Sequence, residues 1–342
     1  MRLSSSPSGP PATKARARRI PLRYVGKRLG HALITILGIA ILNFLLLQLA
    51  PGDAAEALAG DAGSADAEYL ANLRRQFGLD QSILQQLIAF LTRLATLDMG
   101  YSFRFGTPVW DLIVERLPAT LLLMACSIAV ALAGGIVLGV LSARWAHRLP
   151  DRLISLGALL FYATPPFWIG LMMIVLFSVQ LGWTPTGGMY NVVAGYSGLD
   201  HALDVARHLA LPVLTQAFFY LAIYTRLVRA GMLEVLSLDY IRVARAKGIS
   251  ETRILYGHAL RNAVLPLLTV VGANIGTFLG GAVLTETVFS WPGVGRLMFD
   301  AMFQRDLNLL LNILVLSSVF VVLTNLAVDL LYAVINPTVV LK

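Results

Sequence analysis

The chain has 342 residues, of which 57% are hydrophobic and 13% are charged, and it carries a formal net charge of +8. This balance excludes a soluble globular protein of ordinary composition and is typical of a protein that crosses a membrane several times. The basic excess is explained by where the Lys and Arg residues lie along the chain, so nucleic acid is not an expected partner.

Six apolar segments are long enough to cross a lipid bilayer, which takes about 20 residues. They lie near residues 31–50, 119–142, 153–181, 209–231, 263–285 and 308–335. The loops on one side hold 19 of the 27 Lys and Arg residues but only four of the 19 acidic residues. Because basic loops remain in the cytosol, we predict an all-α integral membrane protein with six transmembrane helices and both termini cytosolic.

The N-terminal segment, residues 1–30, is basic and contains no acidic residue. Its Ser/Pro-rich beginning is expected to be disordered. The apolar run at 31–50 is long for the core of a signal peptide, and the Ala-Leu-Ala at 57–59 lies well beyond its end. We therefore expect an uncleaved first span.

The outer segment at 51–118 is predicted to contain two amphipathic helices, at 66–78 and 81–97. Apolar residues of the second recur at helical spacing; they are Ile83, Leu84, Leu87, Ile88, Leu91 and Leu94. Two interpretations remain open: a helical scoop packed on the outer face of the membrane, and a contact surface for a delivery protein. We favour a structural scoop that also contributes to such a contact.

Two spans contain residues that favour bends or close helix packing. Pro165 and Pro166 interrupt the hydrogen-bond ladder of the third span, which predicts a helix bend with a role in gating. Gly272, Gly276 and Gly280 recur every four residues in the fifth span and predict a smooth stripe where helices or chains approach closely. We assign Gly272 and Gly276 to the same bending and gating group.

The polar residues indicate no catalytic or metal site in this chain. Cys126 is the single cysteine, and His201 and His208 are better explained as loop residues than as a metal pair. Asp329 lies inside the last span, where we expect it to pair with an Arg or an amide rather than relay protons. No phosphate-binding Gly-x-x-x-x-Gly-Lys-Ser/Thr loop is present, so we expect no cofactor in this chain.

The stretch 239–266 is a basic, polar island between two long apolar segments. Ala244 and Gly248 are four residues apart, which places them on one face of a helix, and Gly248 suits the helix end. Ser250 is expected to cap a second helix that has Glu251 near its positive end. We predict two short cytosolic helices that form a docking surface.

Several motifs in a fixed order extend this interpretation. They are LAPGD (49–53), FGLDQ (77–81), PPFWIGL (165–171), TRLVRAGMLEVLSLDYIRVARAKGIS (225–250), HALRNAVLPLLT (258–269), FSWPGVGRL (289–297) and NLAVDLLYAVINP (325–337). With them the chain resembles the membrane permease subunits of binding-protein-dependent ABC importers, specifically the dipeptide/oligopeptide/nickel group. The resemblance implies a type I importer fold in a bacterial cytoplasmic (inner) membrane.

The resemblance also implies that the polar island couples the permease to ATPases. The implied coupling residues are Asp239, Tyr240, Arg242, Ala244, Arg245, Ala246, Lys247 and Gly248. The implied partners are two ABC ATPase subunits that bind ATP and Mg, a second related permease subunit, and an extracytoplasmic substrate-binding protein. The outer loop at 286–305 is expected to help seal the transport path or to receive the substrate at the outer face. Its Trp291-Pro292-Gly293 predicts a tight turn.

The expected organisation follows from these assignments. It consists of a tail (1–30), a first helix (31–50), an outer scoop (51–118), a five-helix core (119–335) with a coupling loop at 232–262, and a second tail (336–342). The expected function is translocation without catalysis, for peptides or similar solutes that the sequence does not identify. A self-sufficient carrier or channel and an integral-membrane enzyme are the alternatives, but neither distributed intramembrane charges nor a catalytic cluster favours them.

Overall fold

The computed structural model describes residues 22–49, 67–76, 78–102 and 104–335, which are mostly helical. In chain order the helices are α1 (Leu22–Gln48), α2 (Ala67–Gln76), α3 (Ile83–Ala95), α4 (Val109–Arg144), α5 (Leu149–Ala163), α6 (Pro166–Met173), α7 (Gly198–Leu236), α8 (Asp239–Ala246), α9 (Glu251–Arg253), α10 (Leu260–Ala263), α11 (Leu265–Val288), α12 (Val294–Phe303) and α13 (Leu307–Ile335). π-Helical turns at Ile174–Gln180 and Ile254–Ala259 extend α6 and α9. Two-residue strands, β1 (Tyr101–Ser102) and β2 (Thr107–Pro108), pair antiparallel.

Within the described residues, five helices are long and apolar enough to cross a membrane, and the bent pair α5–α6 supplies a sixth span. The predicted all-α fold with six spans is thereby confirmed. Three helices begin about ten residues earlier than predicted: α1 at Leu22, α4 at Val109 and α7 at Gly198. At 1.5 Å per residue, α4 and α7 therefore extend about 15 Å beyond the predicted outer ends of their spans.

The third span is broken at the predicted proline pair. α5 ends at Ala163, and the axis of the following helix is turned by 105°. Pro165 has no N–H to continue the ladder, and it holds Thr164 in an extended conformation with ψ of 131°. The chain therefore changes direction within two residues.

α4 and α7 form the most extensive helix pair of the structure. Gly135 and Gly139 make this close approach possible, because a Cβ at either position would lie 2.6 Å from the Cβ of Tyr224 or Val228 on α7. The sequence analysis overlooked these two glycines. Of the stripe that it did identify, Gly272 and Gly276 are used in the same way within the chain and lie against Val328 and Val321 of α13, whereas a Cβ at Gly280 would meet nothing within 4 Å in this chain.

An ion pair between a buried carboxylate and a partly buried guanidinium joins α5 to the cytosolic half of α7. The Arg229 guanidinium donates to both carboxylate oxygens of Asp151, at 2.7 and 2.8 Å. The same carboxylate accepts hydrogen bonds from the Ser142 hydroxyl and the His147 backbone N–H. Because every charge in this cluster has a partner, the ion pair holds the C-terminal end of α7 against α5.

The amphipathic helices predicted at 66–78 and 81–97 correspond to α2 and α3. Ser82 and Gln85 form a capping box at the start of α3. Its inward face packs on α1 and α13, where Phe90 stacks on Phe44 with ring centroids 5.7 Å apart. Its outward face leaves Ile83, Leu84 and Ile88 exposed.

Some expectations fall outside the described residues. The Ala-Leu-Ala at 57–59 and the N-terminal tail up to residue 21 lie there, as do the side chain of Asp329 and the tail at 336–342. The bending and gating role assigned to Pro165, Pro166, Gly272 and Gly276 stays a prediction, because their positions describe packing and direction rather than motion.

Candidate functional site: the cytosolic elbow

Residues 237–263, here called the cytosolic elbow, connect the end of α7 to the start of α11. Its first helix, α8, ends in a Schellman motif: the Ile249 N–H donates to the Ala244 carbonyl at 3.2 Å, and the Gly248 N–H to the Arg245 carbonyl at 2.9 Å. Gly248 has a φ of +75°, which L side chains rarely adopt. The glycine therefore ends α8 and reverses the chain.

The elbow has a small apolar core of its own. Ile241, Ala244 and Ile254 are buried together, and Ile249 packs against them. Ala244 is 8% exposed, so it does not share an open face with Gly248, and its predicted coupling role stays a prediction. The helix ends at Ala246, and the helical spacing assumed between positions 244 and 248 therefore does not apply.

The other predicted coupling residues form an open surface along α8 and its end. Val243, which the sequence analysis did not select, is 53% exposed and belongs to the same surface. The exposed residues of this surface are Asp239, Tyr240, Arg242, Val243, Arg245, Ala246, Lys247 and Gly248. The exposed apolar side chains of Val243 and Ala246 among several charged groups are suited to contact with another protein.

Two exposed polar contacts stabilise the shape of the elbow. The Arg245 guanidinium pairs with the Glu251 carboxylate at 2.7 Å and thereby joins α8 to α9. The Asn262 side-chain amide donates to the Tyr240 hydroxyl at 2.9 Å and joins α8 to α10. Ser250 occupies the position that precedes α9 but makes no side-chain capping bond, so Glu251 acts through the ion pair instead.

The elbow is attached to the membrane helices by close packing. A Cβ at Gly231 of α7 would lie 2.9 Å from the Ala263 carbonyl oxygen, so α10 lies directly against α7. Pro165, Pro166, Gly272 and Gly276 lie in other parts of the fold and are not brought together with the elbow. The elbow thus presents an exposed surface on a rigid support, and the described residues around it form no constellation suited to catalysis.

A second organised region, which the sequence analysis recognised as an outer loop with a tight turn but without its buried contacts, lies at the opposite end of α11. We call residues 286–296 the outer turn. The Glu286 carboxylate accepts from the Thr120 hydroxyl at 2.6 Å and from the Arg296 N–H at 2.9 Å. The Trp291 indole N–H donates to the Ala119 carbonyl at 2.9 Å. Because Glu286 and Trp291 are fully buried, the outer turn fixes α11, α12 and α4 to one another.

These features define a polytopic helical membrane protein with an exposed elbow on its cytosolic side. Two sequence families match it: the binding-protein-dependent transport system inner membrane component over residues 135–341, and the N-terminal part of such membrane components over residues 21–124. The chain belongs to this family of inner membrane transport components. It is therefore a multi-pass transport subunit rather than an enzyme, and the resemblance found from its motifs is confirmed.

Three relatives cover almost the whole chain. The di/tripeptide permease DppB of Pseudomonas aeruginosa is 39% identical over 93% of this chain and 98% of its own length. The oligopeptide permease AppB of Bacillus subtilis is 41% identical, with 92% and 98% covered. The glutathione permease GsiC of Escherichia coli is 39% identical, with 93% and 99% covered.

A solved structure supports the fold. An inward-facing form of the MetNI methionine ABC transporter contains a chain that aligns with a TM-score of 0.51 and 18% sequence identity. The alignment covers 66% of this chain and 97% of that chain. At this identity the likeness concerns the architecture of the helices alone.

Proposed function

We propose that this chain is a translocation subunit of an ATP-driven importer for peptides or similar small solutes. In this proposal it pairs with a second, related permease subunit and works with two ABC ATPase subunits, which bind ATP and Mg. An extracytoplasmic substrate-binding protein delivers the solute. The names of the relatives support the substrate class, since they include carriers of di- and tripeptides, oligopeptides and glutathione.

The observation that carries the coupling proposal is the two-sided construction of α8. Its inward face is satisfied within the chain by Ile241, Ala244 and Ile254. Its outward face leaves Val243 and the basic side chains without cover in this chain. We infer that a groove of the ATPase subunit accepts this face, with Val243 in contact and Arg242 and Lys247 against polar walls.

The packing around the elbow supports a mechanical role. α8, α9 and α10 are joined to one another by the Arg245–Glu251 and Tyr240–Asn262 contacts, and α10 lies against α7. A displacement of the ATPase is therefore passed to α7 and α11 as a movement of the whole elbow. The break at Pro165-Pro166 and the close contacts at Gly272 and Gly276 are the places where we expect the spans to bend or slide.

The self-sufficient carrier is disfavoured by how the described intramembrane charges are satisfied. Asp151 is paired with Arg229 close to the cytosolic surface, and Glu286 is bound by backbone and hydroxyl donors of the outer turn. Both carboxylates are occupied by structural contacts. A proton- or ion-driven carrier needs ionisable groups that are free to exchange their partners during transport.

The decisive experiment introduces Val243→Asp, followed by purification from the native membrane in gentle detergent and identification of partners by mass spectrometry. We expect normal insertion, loss of co-purifying ABC ATPases, and loss of solute uptake. Arg148→Asp is the matched control, because it places the same negative group on another exposed cytosolic position, the one preceding α5, where Asp is favourable. A chain that purifies alone and transports when reconstituted alone contradicts the proposal.

A further inference from the structure

A charge-free apolar turn projects from the outer face of the molecule. No Asp, Glu, Lys or Arg occurs from residue 153 to residue 199. We call the last part of this stretch, residues 190–199, the outer tip, and all of its residues are exposed. Val193 is 96% exposed, Val192 77% and Leu199 75%. Exposed aliphatic side chains concentrated in one turn mark an interaction surface.

The outer tip is held in a defined shape. The Asn191 N–H donates to the Asp204 carboxylate of α7 at 2.6 Å. The Asn191 side-chain oxygen accepts from the N–H groups of Val193 and Ala194, at 3.1 and 3.3 Å. The fixed turn presents its valines without the ordering cost that a flexible loop incurs on binding.

The base of the turn is attached to the outer turn described above. The Gly188 N–H donates to the Phe289 carbonyl at 2.9 Å, and Met189 packs in the cluster that contains Trp291. The outer tip is therefore one rigid extension of the unit that joins α11, α12 and α4. A partner bound at the tip makes contact with this unit directly.

The height of the tip separates a protein partner from lipid. Tyr190 contacts His201 with ring centroids 5.0 Å apart, so the tip lies level with the first turn of α7. The apolar part of α7 begins after Arg207 and His208. The seven residues of helix from His201 to Arg207, at 1.5 Å each, place the tip about 10 Å above the bilayer boundary, beyond the headgroup layer. Its apolar side chains face water rather than acyl chains.

We propose that the outer tip is a docking surface for the extracytoplasmic substrate-binding protein, which meets it with an uncharged, apolar patch. This inference rests on the proposed function and assigns a surface to one of its partners. Binding-protein dependence is the defining property of the family. The second permease is a less suitable occupant, because it lies beside the spans, whereas the tip projects along α7 away from the membrane.

The first experiment places a photo-crosslinking amino acid at Val193 in the full transporter in its native membrane. We expect ultraviolet light to join this chain to a protein whose mass-spectrometric identity is the substrate-binding protein of the same transporter. The same probe at Leu149, which is 67% exposed at the cytosolic start of α5, is the matched control and is expected to give no such product. Crosslinking of Val193 to lipid or to the second permease overturns the proposal.

The second experiment measures affinity. The transporter is reconstituted in nanodiscs and titrated with the purified binding protein identified by the crosslink. We expect Val192→Ser with Val193→Ser to weaken binding on the order of tenfold, as loss of central apolar contacts does, and Leu149→Ser on the cytosolic side to leave it unchanged. Both variants are expected to retain basal ATPase activity and melting temperature.

The outcomes separate this inference from the proposed function. Unchanged affinity in the double serine variant, with uptake that still needs the binding protein, overturns the docking surface and leaves the importer intact. Uptake by the wild-type transporter in the absence of any binding protein contradicts the proposed function itself.

Discussion

The outer turn and the cytosolic elbow lie at opposite ends of α11, and they are built differently. In the outer turn, Trp291 and Glu286 are fully buried and bonded to α4, to α12 or to both. In the elbow, Val243 and both partners of the Arg245–Glu251 pair are largely exposed. The polar groups of the outer turn are therefore satisfied within this chain, whereas the elbow leaves an apolar side chain and charged groups exposed.

From this difference we expect the two ends to have different roles in transport. Buried hydrogen bonds without competing water keep the outer ends of three helices in one arrangement. The elbow keeps its internal shape with a small core and two exposed contacts, and because it packs closely on α7, we expect a partner bound to its exposed face to move the elbow and α7 together. We therefore expect mutations at the outer turn to change the free energy of unfolding, and mutations at the elbow to change binding.

The largest effect is expected for Glu286→Ala. The substitution leaves the buried Thr120 hydroxyl and Arg296 N–H without their acceptor, and each unsatisfied donor costs about 1–3 kcal/mol. The free energy of unfolding should fall by about 3 kcal/mol, measured in detergent by thermal denaturation followed through tryptophan fluorescence. Glu251→Ala in the elbow is the control and should change it by less than about 1 kcal/mol. Equal losses in the two variants contradict the division described above.

A smaller effect, and a sharper one, is expected at two glycines. A Cβ at Gly293 overlaps the Glu286 carboxyl group, whereas a Cβ at Gly248 meets nothing within 4 Å but requires a φ of +75°. Gly293→Ala should therefore cost about 2 kcal/mol through overpacking, and Gly248→Ala about 1 kcal/mol through backbone strain.

Asparagine distinguishes these two causes, because it tolerates the left-handed conformation but is larger than alanine. Gly248→Asn should recover most of the loss in the elbow, and Gly293→Asn should be worse than Gly293→Ala. Hydrogen exchange at residues 244–250 and thermal denaturation are the measurements. Failure of asparagine at position 248 shows that space, not backbone strain, limits that site.

The sequence predicted the spans because apolar length and loop charge respond directly to the bilayer. It placed the starts of α4 and α7 about ten residues late, because helical turns that continue into water carry polar residues and have no hydropathy signal. The break at Pro165 was predictable from a missing N–H, which is a local property.

The side-chain contacts of the outer turn and of the elbow could not be predicted from the sequence. Thr120 and Glu286 are far apart in sequence, and only the packing of α4 beside α11 brings them together. The signal available was an acidic residue at the end of an apolar span, followed by Trp-Pro-Gly. The sequence analysis placed Ala244 on the same face as Gly248 because it applied helical spacing from position 244 to position 248. The helix ends at Ala246, and Gly248 has a left-handed conformation, so this spacing does not hold.

The smallest expected effect concerns the Arg245–Glu251 pair, and it distinguishes an internal contact from one with a partner. Exposed ion pairs contribute about 0.2–1 kcal/mol, so Arg245→Glu should barely change the melting temperature. If the role of Arg245 is to join α8 to α9, the double exchange Arg245→Glu with Glu251→Arg restores the pair and ATPase co-purification. If Arg245 also contacts an acidic group of the ATPase, as we expect from its exposed position, the exchange restores hydrogen-exchange protection of α9 but not co-purification. Complete recovery of both would limit the docking surface to Val243 and the residues around it.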